Sequence, residues 1–311
     1  MREEYGKIIK ALEKGALKRL TDAHTGAECF LRGDEIIFSS PDFSPSGEII
    51  EETVALRPTL VLFGFGHIGK SVYRIAKMIG FPLVIFDDRA DVTKDGPYEA
   101  LIVIDSYENI FSRKYDFTNP YFLIFTHGHK ADEEALYYVL RNYDARYVGM
   151  IGSSKKISLT YSHLKERGIK GESLESVHSP IGLDINAESP EEIALSIMAE
   201  IIKTYREGKR QITIEETLFS FLEKEEKDVI KVRIIGKSGS GPRESGAEMA
   251  VTENTTHSTI GGGAIENECI HVARDMLKRK ERFSVLDFDL EKDSPLGMAC
   301  GGKAKVILRK V

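Results

Sequence analysis

The chain has no tryptophan, one glutamine (Gln211), three cysteines and ten prolines in 311 residues. Several of these scarcities exclude something. Cys29, Cys269 and Cys300 form no even set and have no CxxC spacing. That excludes a disulfide framework and a cysteine-rich zinc site, and it points to reduced thiols in a cytoplasmic setting. No apolar run approaches the ~20 residues that span a bilayer, so no membrane partner is expected. The opening Met1-Arg2-Glu3-Glu4-Tyr5 leads into a charged amphipathic stretch, unlike the apolar core of a signal peptide. Excess basic charge is missing too: 43 Lys and Arg stand against 49 Asp and Glu, a net charge of −6. A nucleic-acid or anionic-membrane binder is therefore not expected. What remains is ordinary globular usage, 41% apolar and 30% charged, in a length that suits about two domains.

Tyr5, Ile8, Ile9, Leu12, Ala16 and Leu20 recur at helical spacing, which predicts one helix over 3–20. Cys29-Phe30-Leu31 and Glu35–Phe38 flank Arg32-Gly33-Asp34 as a hairpin, and Ser39 to Gly47 reads as a linker. From Thr59 the pattern changes. Short apolar runs at Thr59–Phe63, Leu83–Phe86, Leu101–Ile104, Tyr121–Phe125 and Tyr147–Ile151 alternate with helical stretches, notably Ile68–Ile79 and Asp132–Asn142. Residues 56–206 are therefore expected to be α/β, a Rossmann-like parallel sheet with helices on both faces. Ser189-Pro190-Glu191-Glu192 opens the last of those helices as a capping box. Residues 207–228 read as a charged, mostly helical connector. Residues 229–311 read as a smaller α+β domain, with strands at Val229–Ile235, Met249–Thr252 and Ala304–Arg309 and a helix from Gly261 to about Lys280.

Gly64-Phe65-Gly66-His67-Ile68-Gly69 follows a strand and opens a helix, the context in which G-x-G-x-x-G marks a dinucleotide site. Gly64, Gly66 and Gly69 would allow a tight turn and close backbone approach to a pyrophosphate, with helix amides aimed at its charge. Asp87 ends the next strand, where a ribose-binding acid belongs; its neighbour Asp88 and a simple turn role are the alternatives. His127-Gly128-His129 places two imidazoles at a sheet edge, facing one way. Either they touch a metal together, with Asp132 as the one nearby third ligand, or they are plain loop histidines. Ser153 caps a basic helix start, Ser154-Lys155-Lys156, either an anion site or an ordinary cap with solvated lysines. Arg243 ends a Gly/Ser loop that resembles an anion cradle, although Pro242-Arg243 stands where a Walker motif needs Lys-Ser/Thr. Gly261-Gly262-Gly263 exposes amides suited to a phosphate or oxyanion. Glu266 follows in the first helical turn, stabilised by the dipole or placed to accept protons from a ligand. Cys300 is flanked by small residues; its thiolate suits molybdenum, copper or a persulfide, and a buried thiol is the alternative. Cys29 and Cys269 read as packing residues.

Together these motifs resemble the XdhC/CoxI family, accessory proteins of xanthine dehydrogenase and related molybdenum hydroxylases. The XdhC-like half runs from Arg57-Pro58 through Gly64–Gly69, Thr126–His129, Gly149–Ser153, Pro180–Asp184 and Ser189–Ala194 to about Lys203. The CoxI-like half runs from Val232 to Val311 through Gly239–Arg243, Thr259–Gly263 and Ala299–Gly302. The CoxI-like part follows the Rossmann part, where the family usually has it first. Gly128 replaces the acid of a Thr-His-Asp-His pattern, and Ala264 stands where larger residues are common. Residues 1–50, the helix and hairpin, look like the start of the CoxI-like domain, so the two chain ends are expected to pack together.

The resemblance implies a cofactor chaperone that accelerates no covalent step. It would hold molybdenum cofactor, as molybdopterin or its cytidine dinucleotide form, with Cys300 facing the metal and Gly261–Gly263 amides or Arg243 near phosphate. A cysteine desulfurase would supply the sulfido ligand, and a molybdenum hydroxylase apoenzyme would receive the cofactor. A homodimer is also implied. An NAD(P)-dependent oxidoreductase built on Gly64–Gly69 and Asp87 is the alternative, and an adaptor with a bare Rossmann scaffold is a third reading.

Overall fold

Gly15, with a backbone φ of +135°, stops the first helix short. Without a Cβ the chain can turn there instead of winding on. In the computed structural model, which describes residues 3–45, 47–94, 98, 100–104, 106–107, 110, 115, 117–207, 211–238, 245–289 and 302–311, helix α1 covers Glu3–Glu13 and buries Tyr5, Ile8, Ile9 and Leu12. The residues expected to prolong it form strand β1 (Leu17–Asp22) instead. Leu17, Arg19 and Thr21 are buried in alternation with Lys18 and Leu20, a period of two that belongs to a strand.

Strands β2 (Glu28–Arg32) and β3 (Glu35–Ser39) make the hairpin, and β4 (Ile49–Ala55) runs back along β1. Next come β5 (Thr59–Phe63), α2 (His67–Met78), β6 (Leu83–Asp87), β7 (Leu101–Val103), β8 (Pro120–Ile124) and α3 (His129–Asn142). They are followed by β9 (Tyr147–Met150), α4 (Ser154–Glu166), α5 (Gly171–Glu175) and α6 (Pro190–Arg206). The remainder holds β10 (Gln211–Thr213), α7 (Glu216–Lys224), β11 (Ile230–Ser238), β12 (Glu248–Val251), β13 (Thr256–Ser258), α8 (Gly263–Arg279), β14 (Phe283–Asp289) and β15 (Lys303–Lys310). Two compact units result, Arg57–Lys209 and the pair of segments Met1–Leu56 with Arg210–Val311.

In the first of these units five parallel strands lie in the order β7-β6-β5-β8-β9. Leu60 and Leu62 point to one face, against Val72 and Ala76 of α2 and Ile197 and Ile201 of α6. Val61 and Phe63 point to the other, against Leu136 and Val139 of α3 and Ile157 and Leu164 of α4. Coverage on both faces explains why these strands are continuously apolar rather than alternating. Each large side chain so buried contributes about 1.5–3 kcal/mol. The capping box of α6 is present: the Ser189 side chain accepts from the Glu192 amide, and the Glu192 carboxylate accepts from the Ser189 amide at 2.9 Å. Strand order reverses between β5 and β8, so the crevice for a ligand opens at their C-terminal ends.

The other unit contains two five-stranded sheets, β10-β4-β1-β2-β3 and β13-β12-β11-β15-β14. Among the described residues of this unit only β10 is parallel to its neighbour, pairing Gln211–Thr213 with Thr53–Ala55. The expected helical connector thus holds a strand as well as helix α7, because Ile212 and β-branched Thr213 suit a half-buried sheet edge. Helices α1 and α7 share a core with Phe30, Val54, Val229 and Ala250. Ile265, Cys269, Ala273 and Met276 of α8 pack with Ile230, Val232 and Val306. Cys29 and Cys269 are buried, and burial pushes the Cys269 thiol up to about 12, which makes it an inert packing residue.

This unit also buries charge. Arg19 meets Glu248 at 2.6 Å and Glu52 at 2.9 Å, and Arg233 meets Glu52 at 2.7 Å. Lys231 pairs with Glu28, and Arg233 donates to the Thr21 hydroxyl. Among the described residues no helix is long and apolar enough to cross a membrane.

Candidate functional site

The turn after β5 has the geometry its glycines suggest. Gly64 has φ +108°, and a Cβ there would lie 2.3 Å from the Phe125 carbonyl oxygen. Only glycine fits such a position. A Cβ on Gly69 would lie 2.6 Å from the Gly64 carbonyl oxygen, so this residue lets α2 pack close to the strand. Gly66 is the N-cap of α2, has no side-chain cap bond, and is followed by no acid in the first turn. The leading amides of α2 are therefore left for an anion. Phe65 is fully buried, edge-on to Tyr73 and Tyr98, and anchors the turn from below.

Asp87 ends β6 beside this turn, with its side chain completely buried. One carboxylate oxygen accepts from the Phe65 amide at 2.6 Å and from Arg89 Nη2 at 2.8 Å. The other accepts from the Arg89 amide and Nε, each at 2.9 Å. Burial pushes the Asp87 carboxyl up, but the bonds from Arg89 and the Phe65 amide outweigh it and hold the group below its ordinary range. Its neighbour Asp88 faces the end of β8, where His127 Nδ1 lies 3.2 Å away.

Thr126, past the same strand, gives its amide and hydroxyl to Asp132 at 2.8 and 2.7 Å. The second Asp132 oxygen receives Lys156 Nζ at 2.5 Å. Asp132, the third ligand considered for a metal, is thus engaged by Thr126 and Lys156. His127 and His129 are both exposed. Among the described residues no group of three or more His, Cys, Asp or Glu side chains is arranged to hold a metal ion. Ser153 caps α4, accepting from the Lys156 amide at 3.4 Å. The C-terminal end of the sheet therefore gathers Gly64, Gly66, Gly69, Asp87, His127 and Ser153, and adds Arg89 and Lys156.

In the other unit Gly261, Gly262 and Gly263 all have positive φ, at 120°, 73° and 72°. The loop so formed is already turned onto an anion of the chain itself. Glu266 accepts from the Ile260 and Gly262 amides, each at 2.9 Å, and from the Thr259 hydroxyl. Burial raises the Glu266 carboxyl, but these bonds prevail and lower it. Arg243 and Cys300 lie outside the described residues.

Sequence reasoning passed over Arg89 and the pairing of Lys156 with Asp132. The spacing Asp87-Asp88-Arg89 was the available signal, since a strand-end acid and an arginine two residues on share one side of an extended chain. Nothing local signals Lys156, because its partner lies 24 positions earlier.

A sequence model of the XdhC Rossmann domain matches residues 60–201, and one of the XdhC and CoxI family matches residues 222–289. The chain is 30% identical over 155 residues to the uncharacterized protein YqeB of Escherichia coli (strain K12), a match that spans 48% of this chain and 27% of that protein. A probable xanthine dehydrogenase component from Bacillus subtilis (strain 168) is 27% identical over 167 residues, covering 53% of this chain and 48% of the relative. These matches take in half or less of each relative's length. A crystal structure described as a xanthine dehydrogenase from Bacillus halodurans superposes with a TM-score of 0.53 at 23% identity, over 64% of this chain and 65% of that one. At that identity the likeness is one of fold.

Proposed function

The chain belongs to the XdhC and CoxI family, and from that premise we propose that it is an accessory factor for a xanthine dehydrogenase-type molybdenum hydroxylase. It binds molybdenum cofactor, as molybdopterin or its cytidine dinucleotide form, and assists sulfuration and insertion. The observation that carries this reading is the presence of both family halves in one chain. A relative named as a probable component of xanthine dehydrogenase supports it. The residues at the sheet end suit the phosphate-bearing part of such a cofactor: a bare glycine turn, uncapped helix amides, and the cations Arg89 and Lys156. When bound, the cofactor supplies the redox-active metal that the client uses; the residues of this chain hold and orient it. Cys300 is proposed to face that metal, and His127 and His129 are secondary candidates. The hydroxylase apoenzyme, a cysteine desulfurase and a second copy of this chain are the proposed partners.

Anaerobic purification of the full chain, followed by molybdenum and pterin analysis, tests the reading. Both should accompany the protein, and Cys300→Ala should lose metal while the fold persists. Full cofactor retention by that variant would remove the thiolate role. Absence of pterin together with micromolar NAD(P) binding and hydride transfer to a carbonyl substrate would replace the accessory reading with the oxidoreductase. Capture of a hydroxylase with no cofactor at any stage would leave an adaptor.

A further inference from the structure

The acid at the end of β6 is the usual place to look for recognition of a sugar hydroxyl. In this chain that acid has nothing left to offer. A carboxylate has about four lone-pair sites, and Asp87 receives four N–H donors, three from Arg89 and one from Phe65. No solvent reaches the side chain. A hydroxyl arriving at Asp87 would have to displace a charge-assisted bond from the guanidinium, which is about twice as strong as a neutral one.

Arg89 is in the opposite condition. Its guanidinium has five N–H donors in a planar fork, and the two side-chain bonds to Asp87 leave the outer donors unspent on that partner. A third of the side chain is open to solvent, 34%. Its Nη2 comes within 3.8 Å of the place a Cβ on Gly66 would take, so the cation lies against the glycine turn. Helix α2 brings its uncapped amides to the same turn. A planar fork held by a buried carboxylate is fixed in position before any ligand arrives, which suits it to phosphate oxygens.

We infer that Arg89 is the anion-receiving group of the Rossmann turn, that Asp87 is its positioning residue rather than a sugar acceptor, and that the ligand class is a nucleotide carrying a diphosphate. Selection at this turn is by charge on the phosphates, with little weight on the sugar. The inference rests on the proposal that this turn is part of the cofactor site.

The test is calorimetric titration of the full chain with cytidine diphosphate and with cytidine, and likewise with adenosine diphosphate and adenosine. The readout is the ratio of diphosphate to nucleoside affinity, which a purely structural role would leave alone. Wild-type protein should prefer the diphosphate by about tenfold or more, as expected for charge-assisted bonds to phosphate. Arg89→Ala should bring the ratio close to one, and Arg89→Lys should keep part of it. Asp87→Asn should narrow the ratio, because the guanidinium loses its anchor. Thermal melts of each variant confirm that the unit remains folded. A ratio that Arg89→Ala leaves intact overturns the inference alone. So does Asp87→Asn weakening nucleoside and diphosphate by one common factor, which is the behaviour of a sugar acceptor. Wild-type protein that takes none of the four probes overturns the underlying reading of the turn.

Discussion

The unit of residues 57–209 keeps its buried acids at one end of its sheet, whereas the unit of residues 1–56 and 210–311 carries buried charge through its interior. In the first, Asp87 is buried at the C-terminal end of β6 and Asp132 in the first turn of α3, the helix that follows β8, each bonded to a partly exposed cation, Arg89 or Lys156. In the second, Arg19, Lys231 and Arg233 face Glu28, Glu52 and Glu248, all with nearly or wholly buried side chains. Position separates the two kinds of burial. Charge at the end of a parallel sheet borders the crevice where α/β folds take ligands. Three cations and three carboxylates closed against one another leave no access for a ligand. What the closed cluster does is tie β1, β2 and β4 to β11 and β12, strands far apart in sequence. A buried ion pair contributes little net stability over an apolar replacement, yet removing one member is costly.

The largest expected effect therefore comes from removing one member of the cluster. Arg19→Met takes from Glu248 its 2.6 Å partner and leaves Glu52 with Arg233 as its remaining guanidinium, and it should lower unfolding free energy by about 3–5 kcal/mol in urea titration. In the apolar unit, Leu123→Ala opens a cavity at a fully buried position of β8 and should cost about 2–5 kcal/mol. If Leu123→Ala proved neutral, the packing described for the parallel sheet would be wrong.

Acid comes next. Burial raises the Glu28 carboxyl, but Lys231, Arg233 and Arg19 pull it down to about 2 from an ordinary 4.5. A carboxyl with a depressed folded value adds stability that is complete above about 4.5 and disappears as pH falls toward 2. Melting of the wild-type chain should therefore drop across that window, and Glu28→Gln should flatten the dependence. An unchanged profile in the variant would place the acid sensitivity elsewhere.

The smallest effect sharpens the comparison most. Lys18 is the neighbour of Arg19 and reaches Glu51 at 2.8 Å, but both side chains are about half exposed, 49% and 59%. Water and side-chain entropy offset such a pair, so Lys18→Ala should change stability by less than about 1 kcal/mol. Equal losses for Lys18→Ala and Arg19→Met would erase the distinction between surface and buried pairing.

Much of the Rossmann unit was legible because its signals are local. The run Thr59-Leu60-Val61-Leu62-Phe63 followed by Gly64–Gly69 specifies strand, turn and helix within a dozen positions. Ser189-Pro190-Glu191-Glu192 specifies its own capping box. Helix α1 was overextended because Ala16 and Leu20 fall on a helical period by chance, while Gly15 breaks it. The charged cluster was not legible at all. Arg19, Lys231 and Arg233 sit at alternate positions of strands, where charge normally marks the wet face. Only the partners, such as Glu248 lying 229 positions from Arg19, show that this face is the dry one.

The site divides in the same way. Gly64 and Gly69 could be read directly, because a positive φ and close backbone approach are demands on single residues, whereas Gly66, at φ −75° with nothing nearer than 3.8 Å to a Cβ placed there, meets neither demand. Asp87 could be placed beside them, but whether its oxygens were free could not be read. Glu266 was placed in the first turn of its helix, and the structure adds that the amides of its own glycine loop already enclose it.

The sequence by itself determined the parallel sheet, the glycine turn and the family motifs, since periodicity and allowed backbone angles are properties of neighbours along the chain. The tertiary structure alone decided which polar atoms are spent and which remain available. Arg89 occupying Asp87, Lys156 occupying Asp132, and six charges closing on one another depend on burial and on through-space distance. A carboxylate looks the same in the sequence whether it faces solvent, a ligand or a guanidinium.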